Sequence, residues 1–245
     1  MTALGLWLLA VGVCDLLRAA HDDTSRRRRA ALVSLGVVLL AFTGVACRFT
    51  ASEWLGVGAV WVLGLVLWLV ASSLALDPTT TRRGTWRTVS FVSFGAAAAL
   101  LVLLGGAVLT PMTLPAGLAG SVLYDVGPAR VCVVAGVGLF QLSTANLVVR
   151  LLLDAIGVPA VTNEKKLRGG RLLGPMERLF IVVLGLAGDL TAAAVVVAAK
   201  GLLRFPELQR TSREDGPTEV SEYFLIGSFS SWLLAVAGLL VLRWS

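Results

Sequence analysis

The sequence predicts an all-α, polytopic integral membrane protein with seven transmembrane helices. Of its 245 residues, 57% are hydrophobic and only 15% are charged, and the charged residues lie in clusters that leave seven apolar stretches. In soluble domains, charged residues make up about a quarter of the sequence. Each stretch approaches the roughly 20 residues that cross a bilayer as a helix. We therefore expect one transmembrane helical domain over residues 1–245.

The seven spans are predicted as helices because backbone groups in lipid must find their hydrogen-bond partners within their own segment. They cover residues 3–20, 30–47, 54–76, 89–109, 131–153, 179–199 and 223–242.

The distribution of Lys and Arg predicts an external N-terminus and a cytoplasmic C-terminus, since basic residues accumulate in cytoplasmic loops. This orientation makes 159–175 a basic cytoplasmic loop and 201–221 a polar external loop. Fourteen basic residues then lie on the cytoplasmic side and six on the external side. Four of these six lie in the segment 200–222, against the general rule: Lys200, Arg204, Arg210 and Arg213.

The net charge of +6 and the pI of 9.9 do not indicate nucleic-acid binding, because the basic residues bracket apolar spans. The expected partners are the lipid bilayer and its anionic phospholipids. A multi-pass protein of the bacterial inner (plasma) membrane is predicted. A homo-oligomer and a membrane partner protein both remain open.

The sixth span carries ionisable residues at regular spacing. Arg178, Asp189 and Lys200 are 11 residues apart, which places them on one stripe of a continuous helix about 33 Å long. On one interpretation Asp189 is an ion-responsive site at the bilayer midplane. On the other, Arg178 and Lys200 reach the two interfaces and Asp189 only fixes helix packing.

The fifth span offers a polar face to the sixth. Ser143, Asn146, Arg150 and Asp154 follow one another at spacings of 3, 4 and 4. We expect this face to pack against the sixth helix and to form a charge cluster at the inner leaflet. The predicted polar site comprises Asn146, Arg150, Asp154, Glu177, Arg178, Asp189 and Lys200, with Asp15 and Arg18 at similar depth.

The loop before the sixth span is rich in glycine and basic residues. Backbone amides at such a turn, surrounded by Lys and Arg, favour an anion. The predicted anion-binding residues are Lys165, Lys166, Arg168, Gly169, Gly170 and Arg171. The alternative is a nonspecific positive-inside signal that touches lipid headgroups. No GKS or GKT follows the glycines, so a nucleotide-binding loop is not indicated.

The last third of the chain resembles an uncharacterised bacterial membrane family known as domain of unknown function 3307. The similar positions are Gly170 with Arg171, Gly174, Glu177 with Arg178, Ala199 with Lys200, Arg204 with Phe205, and residues 222–227. In the remainder the likeness is carried chiefly by Asp15. The resemblance implies that these positions matter and implies no activity, cofactor or substrate.

The sequence favours a non-enzymatic protein over an enzyme. It has one histidine and no spacing typical of a metal site, so neither a metal nor a cofactor is predicted. The expected function is an intramembrane polar site in helices five to seven that handles a small ion or anionic solute, or binds phospholipid headgroups. The alternatives are a membrane-embedded enzyme that modifies lipid phosphates and an accessory subunit of a membrane complex.

Overall fold

The computed structural model describes residues 1–19, 25–104, 127–157, 170–199, 201–202 and 219–245. Within these ranges the secondary structure is helical and contains no strand, which confirms the all-α class. The helices are α1 (Thr2–Ala19), α2 (Arg26–Ala46), α3 (Ala51–Leu76), α4 (Arg83–Leu104), α5 (Pro128–Ala155), α6 (Gly170–Leu186), α7 (Leu190–Ala199) and α8 (Glu219–Arg243).

Five of these helices are long and apolar enough to cross a membrane. They are α2, α3, α4, α5 and the Phe224–Arg243 part of α8. These five correspond to the predicted second to fifth and seventh spans, so the structure agrees with a multi-pass membrane protein.

The described residues divide into two compact units. Unit 1 comprises Met1–Thr144 with Trp244–Ser245, and unit 2 comprises Ala145–Arg243. The division falls inside α5.

Unit 1 is built around α1. This helix packs against α2, α3, α4 and the first half of α5, and most of its side chains are buried. Trp7 of α1 donates a hydrogen bond from Nε1 to the carbonyl oxygen of Trp61 at 3.2 Å, and Trp61 donates to that of Ala3 at 2.9 Å. The two indole N–H groups are thus satisfied by backbone of the partner helix, as buried tryptophan requires.

The backbones of α1 and α5 approach each other closely. A Cβ on Gly136 would overlap the carbonyl oxygen of Gly5, so only glycine fits at this crossing. Further along, Ser143 donates its hydroxyl to the carbonyl oxygen of Gly12 at 2.8 Å. Ser143 belongs to a π-helical turn, Phe140–Thr144, which buries four of its five side chains. Small residues at a helix crossing allow this kind of contact in membrane proteins.

Unit 2 packs α6 against α8, and both against the Ala145–Ala155 half of α5. The paired residues increase together along α6 and α8: Arg178 bonds Ser231, and Gly185 meets both Leu239 and Arg243. The two helices therefore run parallel. Gly170 and Glu219, the first residues of α6 and α8, therefore lie at the same end of unit 2.

This arrangement corrects the predicted continuous sixth span. α6 ends at Leu186, Gly188 adopts a positive φ of 84°, and Asp189 accepts a hydrogen bond from the backbone N–H of Ala192 at 2.8 Å. A left-handed glycine followed by an aspartate N-cap ends one helix and begins the next. Consecutive spans cross a membrane in opposite directions, so the sequence predicts that the sixth and seventh spans are antiparallel. α6 and α8, which contain the starts of these two spans, instead run parallel.

The α1–α5 crossing gives a matched pair of variants. We expect Gly136→Ala to destabilise the protein by about 1–3 kcal/mol, because the added methyl group forces two helix backbones apart. Gly138→Ala, two residues away in the same helix, meets nothing within 4 Å and should leave stability unchanged or slightly raised. Thermal unfolding of both variants in detergent measures the difference. Equal melting temperatures would contradict the close contact.

Candidate functional site

Two polar clusters lie inside the helical units. The Asp15 cluster, in unit 1, comprises Asp15 and Arg18 of α1 with Trp68, Ser72 and Ser73 of α3. The Arg178 cluster, in unit 2, is Arg178 of α6 with Asn146 of α5 and Ser231 of α8.

The Asp15 cluster is a buried ion pair with hydrogen-bond partners on a second helix. Asp15 is 0% exposed, and its Oδ1 lies 3.0 Å from Nη2 of Arg18. The indole Nε1 of Trp68 donates to Oδ2 of Asp15 at 2.9 Å. Nη1 of Arg18 donates to the hydroxyl oxygens of Ser72 and Ser73, each at 2.9 Å. The pair therefore links α1 to α3.

The two serines can accept these bonds because their own protons are already committed. Each hydroxyl donates to the carbonyl oxygen four residues earlier in α3, which leaves its lone pairs for the guanidinium. Thr144, in the π-helical turn of α5, lies beside the Asp15 carboxylate. Three helices thus meet at one carboxyl group in the core of unit 1.

A buried pair of this kind fixes packing more than it adds net stability, because desolvation of two charges offsets most of their attraction. Loss of one partner is costly, since it leaves an unpaired charge in an apolar core. The geometry favours a structural role for Asp15 and Arg18.

The Arg178 cluster joins three helices of unit 2: α5, α6 and α8. Arg178 is 1% exposed. Its Nη1 donates to the hydroxyl oxygen of Ser231 at 2.9 Å, and its Nη2 donates to Oδ1 of Asn146. Both of these acceptors are neutral groups, and they hold the guanidinium between α5 and α8.

Arg150 lies one helical turn after Asn146 on the same face of α5. Its side chain is half-buried, and its buried Nε has no hydrogen-bond partner within the described part of the chain. On α6, one turn before Arg178, Gly174 presents no side chain; a Cβ there would lie 3.5 Å from Nη1 of Arg178 and 3.9 Å from Oδ1 of Asn146. The face that bears Arg150 and Asn146 is thus bordered by a glycine on the facing helix.

The remaining predicted site residues have varied positions. Asp154 and Glu177 are half-buried on α5 and α6, and both make interactions. Asp189 is exposed at the turn between α6 and α7, so it does not belong to a packed polar core. Gly170 and Arg171 form the first turn of α6. Lys165, Lys166, Arg168, Gly169 and Lys200 lie outside the described residues.

Sequence reasoning missed the contributions of serine and tryptophan. Ser72, Ser73 and Ser231 lie within apolar runs, where a hydroxyl bonded to its own helix carries no pattern that reveals a second partner. Asp189 did carry a usable signal: glycine followed by aspartate is a common stop and start for helices. The long apolar run around Gly188 hid that signal.

Within the parts of the chain that the structure describes, no three His, Cys, Asp or Glu side chains come together as a metal site. Compared with known proteins, the chain matches no protein family, curated protein or solved structure. The likeness to domain of unknown function 3307 accordingly remains a prediction.

The Asp15 pair predicts a non-additive pattern of stability. Asp15→Asn should lower the free energy of unfolding by about 3–5 kcal/mol, because it leaves Arg18 buried without its counter-charge. The double variant Asp15→Leu with Arg18→Met should cost less than the single variant, since no unpaired charge remains. Thermal unfolding in detergent tests both, with Arg130→Gln at an exposed position as the control. A double variant that is destabilised as much as Asp15→Asn, or more, would refute the pairing.

Proposed function

We propose that the Arg178 cluster, together with Arg150, binds an oxyanion of the phosphate type in a multi-pass membrane protein. The observation that carries this proposal is the buried Nε–H of Arg150, a donor without an acceptor among the described residues. A buried donor left unsatisfied costs about 1–3 kcal/mol, which an anion at that point would recover.

The chemistry of the cluster suits an oxyanion. Arginine presents a planar fork of donors that matches two oxygens of a phosphate or carboxylate. Asn146 and Ser231 hold Arg178 from two sides, which fixes the direction of its guanidinium. Gly174 leaves the space beside Arg178 free of a side chain. These features support binding and orientation of an anion.

The same chemistry is offered by a small soluble anion and by a phospholipid headgroup. Both carry a phosphate oxygen that a guanidinium recognises. In the proposed site a lipid would enter from the bilayer and a small anion from water, so competition between the two sources distinguishes them.

We also propose a revised membrane orientation. In this proposal α1 crosses the membrane in addition to the five candidate spans and runs in the same direction as α3. The N-terminus then remains external, and the C-terminus lies on the external side as well, in place of the cytoplasmic side predicted from the sequence. The parallel course of α6 and α8 supports this, because Glu219 begins at the same end of unit 2 as Gly170.

Charge supports the revised orientation. The five candidate spans then place on the cytoplasmic side the four basic groups at residues 26–29, 82–87, 165–171 and 204–213. The external ends keep only Arg48, Arg130 and Arg243. This distribution removes the basic external segment that the earlier orientation required, and it follows the positive-inside rule more closely. We place the protein in a bacterial inner membrane on the same grounds.

The anion site is tested by Arg150→Met, which keeps an unbranched side chain as far as the position of Nε and removes all the guanidinium donors. We expect at least about tenfold weaker stabilisation by inorganic phosphate or by short-chain phosphatidylglycerol, because a charge-assisted donor is lost. Stability without ligand should be unchanged or higher, since an unsatisfied buried donor is gone. The measurement is the shift of the unfolding temperature during titration with each compound.

Arg130→Met, at the exposed start of the same helix, serves as the control and should bind as the parent chain does. A small-anion site predicts that phosphate and phosphatidylglycerol compete, and a lipid site predicts that only the lipid stabilises. Stabilisation by neither compound, or equal stabilisation of the parent and Arg150→Met, would overturn the proposal.

The orientation is tested by labelling with a membrane-impermeant maleimide. Ser245→Cys should react in intact cells, whereas Ala160→Cys, in the loop before α6, should react only after permeabilisation. The native cysteines are buried or half-buried, which keeps the background low. Labelling of both positions from the same side would refute the parallel arrangement of α6 and α8.

A further inference from the structure

Seven arginines gather at one end of unit 1. Four of them, Arg26–Arg29, open α2, and the other three, Arg82, Arg83 and Arg87, lie at the start of α4. We call this set the arginine face. Nε of Arg83 donates to the carbonyl oxygen of Asp77 at 2.8 Å, just beyond the end of α3. Nη2 of Arg28 donates a hydrogen bond to the carbonyl oxygen of Leu17, near the end of α1, at 3.0 Å. These bonds tie the face to the adjacent ends of α1 and α3.

Unit 1 has three acidic groups among the residues that the structure describes. The described acids of unit 1 are Asp15, which pairs with Arg18; Glu53, which caps a helix start with Thr50; and Asp77. Only Asp77 lies at the arginine face. Hydrogen bonds from Thr79, together with the charges of Arg29 and Arg83, hold the pKa of the Asp77 carboxyl below its usual value. Arg29 of α2 and Arg83 of α4 therefore both lie near this one aspartate.

The basic residues of this region are all arginines. Residues 1–144 contain no lysine, and the three lysines of the chain come later. A general positive-inside signal needs only charge, which lysine supplies as well as arginine does. Arginine differs because its planar donors bind two oxygens of a phosphate at once. The composition thus favours recognition of an oxyanion over simple attraction.

A stripe of apolar side chains on α3 extends to the end of unit 1 at which the arginine face lies. Leu63 and Leu67 are 61% and 46% exposed, and Val70 and Leu74 are partly exposed. Their spacing of 4, 3 and 4 residues places them on one side of the helix, which then ends beside Asp77. A ligand that satisfies both features has an anionic head and hydrocarbon chains.

We propose that the arginine face is a binding site for the phosphate of an anionic phospholipid, whose acyl chains lie along the apolar stripe of α3. Arg29 and Arg83, which both lie near Asp77, are the expected phosphate ligands. This proposal rests on unit 1 alone and is independent of the Arg178 cluster.

The test asks whether lipid binding by the purified full-length chain needs the guanidinium group or only its positive charge. Native mass spectrometry measures retention of phosphatidylglycerol against phosphatidylcholine with the same acyl chains. We expect both Arg29→Lys with Arg83→Lys and Arg29→Gln with Arg83→Gln to reduce the preference for phosphatidylglycerol by about fivefold or more, because each loses the bidentate contact. Arg130→Lys, which changes an exposed arginine away from the arginine face, should retain the parent preference.

The single variant Arg29→Lys is included because Arg83 also binds backbone, so its loss can disturb folding. It should lower the preference by itself. Full retention of phosphatidylglycerol by the lysine variants would overturn the proposal and leave only general charge attraction. Displacement of the lipid by millimolar inorganic phosphate would equally overturn it, since that result indicates a soluble anion as the occupant.

Discussion

The structure depends on the cost of burying charge in an apolar helix. α1 is the central helix of unit 1, and its second half carries Asp15 and Arg18 among leucines and valines. Neither group can stay ionised in such surroundings without the other and without hydrogen bonds. Trp68, Ser72 and Ser73 provide those bonds, which fixes both the rotation of α1 and its height against α3. A different rotation would expose the pair to hydrocarbon.

Burial of charge also constrains unit 2, but there the hydrogen-bond acceptors of the buried arginine differ. Arg178 is almost fully buried, and among the groups that hold it are a neutral amide, Asn146, and a neutral hydroxyl, Ser231. The Asp15 cluster contains its own counter-charge, and that makes it suited to hold helices together. Arg150 lies one helical turn after Asn146 of the Arg178 cluster, and its buried Nε–H has no acceptor among the described residues. This difference is why the two clusters are assigned different roles.

Much of the architecture could be predicted from composition and spacing. Long apolar runs predict helices reliably, because lipid leaves the backbone few other ways to satisfy its hydrogen bonds. The polar face of α5 was also visible, since Asn146 and Arg150 recur at helical spacing. The prediction for Asp189 was wrong about its surroundings. Hydropathy averages over a window, so it cannot detect a turn at which only Gly188 and Asp189 interrupt an apolar run.

The sequence by itself determined that the chain is helical, apolar and bracketed by arginines, because these properties follow from residue type and period alone. The tertiary structure decided which polar groups meet. Asn146, Arg178 and Ser231 come from three helices far apart in the chain, and no local pattern relates them. It also decided that α6 and α8 run parallel. Direction depends on where the chain turns and on which helix faces fit together, and both arise only when the helices pack.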